Sequence, residues 1–289
     1  MNQRLWGRAL LAMAMALGAI CGCKQRPRAV GKRPTVASLV PSATDLLIGM
    51  GAADHLVAVS TVDANRPELR HLPAAGDYQN LDWEQLSQLR PDVMIIFMAP
   101  DRVPAALVQK ARSLGTRLVN VRMETLDNIF ETINILGAEL NERSKADAAA
   151  KRLSQQLESV RKRVSGLPQV PTLVLSDASA RAVGRHNFID DVLRLAGGEN
   201  VVKASGWPTL DGEQVRALRP AVAFQLLPDA TPQVIEQAQR LWQTLPDMPA
   251  VSERRVYILR EWWVQQPGLH VGDLAEQFAR RLHPAAYGK

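Results

Sequence analysis

The stretch LDWEQLSQLRPDV, residues 81–93, returns 129 residues later as LDGEQVRALRPAV, residues 210–222, with eight of thirteen positions identical. The same offset aligns Tyr78 with Trp207. Each copy reads as an amphipathic helix that is stopped by a proline and followed by a buried strand. The spacing exceeds the ~20–50 residues of solenoid repeats. Unless the similarity is chance, it predicts two domain-sized lobes with a binding cleft between them.

The rest of the chain alternates short β-branched runs with helical stretches, which is typical of parallel α/β units. Strands are predicted at 35–40, 55–62, 93–98, 117–122, 172–176, 222–227 and 255–259. Helices are predicted from residue 42, and at 83–89, 104–114, 126–136, 188–196, 212–218, 232–241 and 269–282. Ser42 and Asp45 have the spacing of a capping box at the first of these helices, and Gly51 suits its end.

One long helical segment, residues 141–165, lies between the two halves and contains neither glycine nor proline. A helix of this length extends ~37 Å and makes a stiff connection with limited motion between the lobes. We therefore predict an α/β fold of two Rossmann-like lobes, residues 34–140 and 168–289, joined by a single long α-helix within residues 141–167.

The first residues have the features of an export signal. Arg4 and Arg8 precede an apolar run at residues 10–20 that is too short for a permanent membrane helix. The sequence ICGC then resembles the lipobox of bacterial lipoproteins, with Cys23 as the acylated residue. This predicts a lipoprotein signal peptide at 1–22 and a basic, lipidated tether at 23–33; a plain secretory signal is the alternative.

Composition excludes several classes of protein. If Cys23 is acylated, the mature chain has no second thiol for a disulfide, a zinc site or a catalytic cysteine. The formal net charge of +6 is spread over mixed acidic and basic residues, which does not indicate nucleic acid as a partner.

Four separated motifs carry a resemblance to a known family: LVPSATD at 39–45, LRPDV at 89–93, FIDDVL at 188–193 and GGENV at 197–201. In their order and spacing they resemble class III substrate-binding proteins of ABC importers, the receptors for vitamin B12, ferric siderophores and haem. The vitamin B12 branch is the most similar. The resemblance implies a monomeric, non-enzymatic periplasmic protein, held at the membrane by its lipid, that delivers a metal chelate to a permease dimer with its ATPase subunits. Cobalamin is the first candidate ligand, transported rather than held as a permanent cofactor, and a ferric siderophore or haem is the alternative.

Glu84 and Glu213 begin the repeated helix of each lobe, where an acidic side chain also favours the positive helix end. The family resemblance implies a second role, because related receptors use one glutamate on each lobe to dock the permease. Tyr78 and Trp207 each lie six residues before these glutamates, and the vitamin B12 branch has aromatic residues at both positions. We expect them to bind the ligand, although core packing is the alternative.

Trp262 and Trp263 follow the last predicted strand, at the end where open α/β sheets bind ligands. Two adjacent tryptophans do not easily face one core, so we expect at least one to line the cleft. Arg260, Glu261 or Gln265 in the same loop is a candidate to hydrogen-bond the ligand.

The chain also departs from the vitamin B12 branch. The segment VDAN at 62–65 stands after the second strand, where that branch often has an aromatic residue, and Arg181 replaces a phenylalanine. With Arg185 and His186, Arg181 predicts a cationic pocket suited to a carboxylate or catecholate ligand, although solvated loop charge explains these residues equally. His186 is also a candidate axial ligand of haem iron.

Patterns for metal and catalytic sites are weak. The five histidines are scattered, with no HxH or HExxH pairing, so no metal site is predicted. The sequence lacks a P-loop and a GxSxG elbow. A lipid-anchored hydrolase using Ser42 or Ser176 is the remaining enzymatic alternative.

Overall fold

The computed structural model describes residues 33–77 and 79–288. In this part of the chain, eight strands form two parallel four-stranded sheets. Ten α-helices are interspersed with the strands along the sequence. The architecture confirms the predicted α/β fold. We keep the predicted ranges 34–140 and 168–289 as the N-terminal lobe and the C-terminal lobe.

The strands of the N-terminal sheet are β1 Val36–Ser38, β2 Leu56–Val59, β3 Val93–Ile96 and β4 Arg117–Asn120. Those of the C-terminal sheet are β5 Val170–Leu175, β6 Gly198–Asn200, β7 Val222–Leu226 and β8 Val256–Leu259. The helices are α1 Pro41–Gly49, α2 Trp83–Leu89, α3 Ala105–Ser113, α4 Leu126–Glu139, α5 Arg143–Val164, α6 Phe188–Leu195, α7 Gly212–Leu218, α8 Pro232–Gln243, α9 Pro249–Ser252 and α10 Val271–Leu282.

The two sheets repeat one topology. Their strand orders are β2-β1-β3-β4 and β6-β5-β7-β8, so each strand of one lobe has a counterpart in the other. The repeated sequence forms the same unit in both lobes: a seven-residue helix, a left-handed arginine, a proline and a buried strand. Arg90 and Arg219 hold the left-handed positions, with φ of 46° and 44°. The internal repeat is therefore structural.

The long helix α5 contacts both lobes. It is 22 residues long, and its buried side chains recur every three or four residues, as in an amphipathic helix. It packs against α4 on the N-terminal side and α10 on the C-terminal side. One apolar core includes Leu153 and Leu157 of α5 together with residues from both sheets, and the chain from Arg33 onward forms one compact unit.

The predicted capping box at α1 is wrong. Val40 occupies the cap position, and no side chain accepts a hydrogen bond there. Pro41 is the first helical residue, and it has no N–H that would need an acceptor. Asp45 is instead buried, 5% exposed, and faces the other lobe. The sequence also gave no indication of β6 or of α9.

Candidate functional site

Segments that follow the carboxyl ends of strands in one lobe meet segments that follow strand ends in the other lobe. Arg66, beyond β2, contacts Trp262, beyond β8. Glu124, beyond β4, accepts a backbone hydrogen bond of 2.7 Å from Phe188, beyond β5. Open α/β sheets bind their ligands at these strand ends. We call the region between these segments the cleft.

The two tryptophans after β8 lie in different environments, Trp262 at the cleft and Trp263 against the core. Trp262 is 40% exposed, whereas Trp263 is partly buried and packs against the shared core. Trp263 also stacks on the ring of His270 at 5.4 Å between centroids, with only 15° between the planes. Of the two, Trp262 offers the larger accessible surface to a ligand.

Three polar residues near this pair already have partners within the protein. The amide nitrogen of Gln265 donates to the carbonyls of Ser176 (2.6 Å) and Leu226 (2.8 Å), so it ties β8's loop to the ends of β5 and β7. One carboxylate oxygen of Glu261 accepts from Gln277 and the other from the backbone N–H of Arg260. The guanidinium of Arg260 donates to the carbonyl of Ala230 at 3.2 Å. These contacts hold the loop in place, and they leave Trp262 as its accessible apolar side chain.

A cluster of carboxylates faces this loop from the N-terminal lobe. Arg66 lies 3.7 Å from Asp45 and 3.6 Å from Asp63, and its guanidinium donates to Glu68 at 2.8 and 2.9 Å. Burial raises the pKa of both Asp45 and Asp63, and Arg66 opposes the shift at each. At Asp45, the positive charge of His270 from the other lobe also opposes the shift. The cleft therefore contains two buried aspartates, Asp45 and Asp63, with Arg66 of their own lobe beside both and His270 of the other lobe near Asp45.

Trp207 lies in a loop that is firmly held by backbone hydrogen bonds. Residues 181–185 pair with residues 204–209, and Gly184 approaches so closely that an added Cβ would lie 2.3 Å from a carbonyl oxygen. Gly206, with φ of 75°, makes the turn before Trp207. Trp207 is 42% exposed on this fixed backbone.

The same paired segments carry the predicted cationic residues. Arg181 and Arg185 are both exposed, and Arg181 lies 3.7 Å from the carboxylate of Asp177. His186 is also exposed and adopts φ of 65°. The structure therefore brings Arg181 and Arg185 together with Trp207 on one ribbon, and their role in binding stays a prediction.

Glu84 and Glu213 occupy the second position of α2 and α7, and both are exposed. Within residues 33–77 and 79–288, neither carboxylate forms an ion pair. Their equivalent placement on two equivalent lobes agrees with a paired contact, and the docking role itself stays a prediction.

Two of the predicted functional residues, Tyr78 and Cys23, lie outside the described residues. Among its described neighbours, the carboxylate of Asp77 accepts from the backbone N–H groups of Gln79 and Asn80. Gly76 lies beside the end of β2, since its carbonyl accepts a backbone bond from Thr61. Residues 1–22 and most of the predicted tether at 23–33 also lie outside the description.

Among residues 33–77 and 79–288, no group of three or more histidine, cysteine or acidic side chains has a metal-binding arrangement. Ser42 is buried, and the hydroxyl of Ser176 donates to the carbonyl of Arg181. In the same residues, no helix has the length and apolar character needed to cross a membrane.

The sequence did not reveal Asp45, Arg66 and His270 as cleft residues. Asp45 was read as part of a local cap, and no pattern links Arg66 to the loop after β8. The one available signal is the pair of adjacent tryptophans, which predicts only that one of the two rings lines the cleft.

Two equivalent α/β lobes that meet at their strand ends, with the exposed indole of Trp262 at the contact between them, define a two-lobed binding protein. The sequence profile of the periplasmic binding protein family matches residues 36–261. The chain therefore belongs to that family. The matched region runs from the first strand of the chain to just past its last strand. It is a binding protein rather than an enzyme, so the hydrolase alternative is excluded.

Individual relatives agree with this assignment. A vitamin B12-binding protein of Vibrio parahaemolyticus serotype O3:K6 (strain RIMD 2210633) is 27% identical over 236 residues, which cover 80% of this chain and 83% of that protein. The crystal structure of the periplasmic vitamin B12 binding protein BtuF of Vibrio cholerae superposes with a TM-score of 0.71, at 24% identity, covering 89% of this chain and 99% of that one. A periplasmic heme binding protein from Pseudomonas aeruginosa gives a TM-score of 0.72 at 20% identity, covering 88% and 94%. At such low identity, the two structures establish a shared fold and not a shared ligand.

Proposed function

We propose that this protein is the substrate-binding component of an ABC importer and that it captures a metal-chelate cofactor, with cobalamin or a related corrinoid as the first candidate. It binds the chelate between its lobes and delivers it to the permease. The sequence similarity to proteins named for vitamin B12 binding supports the ligand class.

The placement of exposed apolar side chains carries the proposal. Four large apolar residues of the described chain stand out as exposed: Val62, Leu167, Trp207 and Trp262. Three of them, all but Leu167, follow the ends of β2, β6 and β8. Exposed indoles are costly without a partner, and rigid aromatic surfaces suit a broad, flat macrocycle. A corrinoid provides such a face.

A haem or a ferric siderophore is the second candidate ligand. Arg181 and Arg185 favour it, because they are exposed beside Trp207 and guanidinium groups pair well with carboxylates. A haem carries two propionates, and several siderophores carry carboxylate or catecholate groups. Such a ligand would use the same cleft and the same tryptophans.

Delivery to the permease is assigned to Glu84 and Glu213. One exposed carboxylate on each lobe matches a two-fold permease that presents one cation to each lobe, and such pairs fix orientation. The ATPase subunits then act through the permease. The binding protein acts as a monomer, because its two lobes already supply both halves of the contact.

The proposed location of the protein in the cell rests on the amino-acid sequence of its first residues, 1–33. We propose that Cys23 is acylated after export, so that the protein works in the periplasm from a membrane anchor. The basic tether then holds the lobes near the membrane surface, where anionic headgroups attract it weakly.

Calorimetric titration of the purified protein with cyanocobalamin, and then with haemin and a ferric siderophore, tests the ligand. Saturable one-to-one binding of cyanocobalamin supports the corrinoid assignment. Binding of haemin or the ferric siderophore alone would move the assignment to the second candidate. Failure of all three ligands to bind would overturn the metal-chelate proposal while leaving the family membership intact.

A further inference from the structure

Arg66 and Trp262 make a direct contact between the lobes. The guanidinium carbon of Arg66 lies 4.7 Å from the ring centroid of Trp262, within the range of a cation–π interaction. Arg66 comes from the segment after β2, and Trp262 comes from the segment after β8. The contact therefore joins the N-terminal lobe to the one tryptophan of the pair that is exposed in the cleft.

Carboxylates of its own lobe hold Arg66 in a fixed orientation. Glu68 accepts from two of its guanidinium nitrogens, at 2.8 and 2.9 Å, and Asp45 and Asp63 lie within 3.7 Å. Its side chain is only 20% exposed. Acceptors at the edge of the guanidinium leave its flat face free for the indole, so the arginine is set in place before Trp262 meets it.

Trp262 is supported on a second side by its own lobe. The ring of His270 lies 5.3 Å away and nearly perpendicular, at 79°. His270 is itself fixed, because it stacks on Trp263 and its Nδ1 lies 2.8 Å from the carboxylate of Asp273. Since 40% of Trp262 stays exposed, these two neighbours hold the ring without covering it.

We propose that Arg66 is a positioning residue which braces Trp262 across the cleft and fixes the orientation in which that indole meets the ligand. Arg66 acts through the indole rather than by touching the ligand, because its polar atoms are already engaged by carboxylates. The role in ligand binding rests on the proposed function; the bracing itself belongs to the ligand-free protein.

The first experiment measures the ligand-free protein. Acrylamide quenching of tryptophan fluorescence is compared for the parent protein, Arg66→Met and Arg70→Met, each with and without Trp262→Phe, so that the difference within each pair isolates Trp262. Arg70 is an exposed arginine four residues away and serves as the charge-matched control. We expect Arg66→Met alone to increase the quenching of Trp262. Unchanged quenching would overturn the proposal, whether or not any ligand is known.

The second experiment is a double-mutant cycle on ligand affinity, with cyanocobalamin as the probe and haemin as the substitute if cyanocobalamin does not bind. Arg66→Met is expected to raise the dissociation constant about fivefold, the size of a partly exposed cation–π contact. In a Trp262→Leu background the same change is expected to have no further effect. If the fold-changes of the two single variants multiply in the double variant, Arg66 acts independently of Trp262 and the proposal is wrong.

A milder variant keeps the test valid if Arg66→Met does not fold. Glu68→Gln removes the negative charge of the exposed acceptor that orients the guanidinium and leaves Asp45 and Asp63 beside the cation. We expect an unchanged unfolding temperature, greater quenching of Trp262 and an about twofold weaker affinity, in line with the small energy of an exposed ion pair. Quenching and affinity equal to those of the parent protein would count against the bracing role.

Discussion

Asp82 and Asp211 cap equivalent helices of the two lobes in the same way. Each carboxylate accepts the backbone N–H of the residue three positions on, at 2.9 Å for Asp82 and 2.8 Å for Asp211. Each cap is followed two residues later by an exposed glutamate, Glu84 or Glu213, in the first turn of its helix. The fold therefore presents one carboxylate per lobe from matched positions.

Replacing both glutamates is expected to abolish transport without affecting ligand binding. Glu84→Ala combined with Glu213→Ala removes both proposed docking charges, and losing a well-formed interfacial charge pair costs ~2 kcal/mol or more of docking free energy. Each change costs the helix only ~0.3–1 kcal/mol through its dipole, so the fold persists. Uptake of labelled cyanocobalamin by cells that depend on this receptor measures transport, and calorimetry measures binding.

The matched control is Glu131→Ala combined with Glu253→Ala, which removes two exposed glutamates from other surfaces. This control should transport normally, because the net charge changes equally while the helix starts are untouched. If the Glu84 and Glu213 double variant also transports normally, the docking assignment is wrong.

Trp207→Ala is expected to weaken ligand binding by ~1–3 kcal/mol, the usual loss for an aromatic anchor at the centre of an interface. The ring is 42% exposed in the ligand-free structure, so its removal should leave the free energy of unfolding nearly unchanged. Leu167→Ala is the control, since Leu167 is 41% exposed but lies at the end of α5. Equal dissociation constants for the parent protein and Trp207→Ala would place Trp207 outside the site.

Local signals explain why the helix of the repeated unit could be predicted to the residue in both lobes. The bounds of α2 and α7 match the prediction, because an aspartate begins each helix and a proline follows shortly after its end. By contrast, β6 consists of Gly198, Glu199 and Asn200, none of which favours a strand. Its place is set by pairing with β5 and by the Asn200 amide, which bonds the carbonyl of Val183. Such contacts come from the tertiary fold.

The cleft was predictable only in part for the same reason. An exposed tryptophan after β8 followed from the Trp262–Trp263 pair, since both rings do not fit one core. The partner, Arg66, lies in the other lobe, and a single sequence contains nothing that connects them. Asp45 shows the opposite error, because its local spacing to Ser42 matched a capping box while its actual environment is the buried contact between lobes.

Cys23→Ser is expected to move the protein from the membrane fraction to the soluble periplasmic fraction. Removing the thiol removes the site of acylation, and the basic tether alone binds a membrane only weakly. Cell fractionation followed by immunoblotting measures the change, and Cys21→Ser serves as the control. If Cys23→Ser stays in the membrane fraction and Cys21→Ser does not, the acylated residue is Cys21.

Tyr287 should titrate late in alkaline solution. Burial, together with the neighbouring Glu276 carboxylate, raises the pKa of Tyr287 from 10.0 to about 12. Because the folded pKa exceeds the unfolded one, the contribution of Tyr287 to the free energy of unfolding is complete below pH 10.0 and is lost as the pH rises through about 12. Tyrosinate absorbance against pH should therefore show a late step that Tyr287→Phe removes and Glu276→Gln shifts to lower pH. A titration curve unaltered by Tyr287→Phe would contradict this assignment.

Leu153→Ala is expected to lower the free energy of unfolding by ~2–5 kcal/mol, the usual cost of a cavity left by a buried leucine. Leu153 is 2% exposed on the face of α5 that packs into the core shared by both lobes. Because that core is continuous, the variant should still unfold in one transition, with the whole denaturation curve shifted to lower urea. Leu167→Ala, a leucine exposed beyond the same helix, should leave the curve unchanged. Two separate transitions in Leu153→Ala would instead show that the lobes unfold independently and that α5 is only a connector between them.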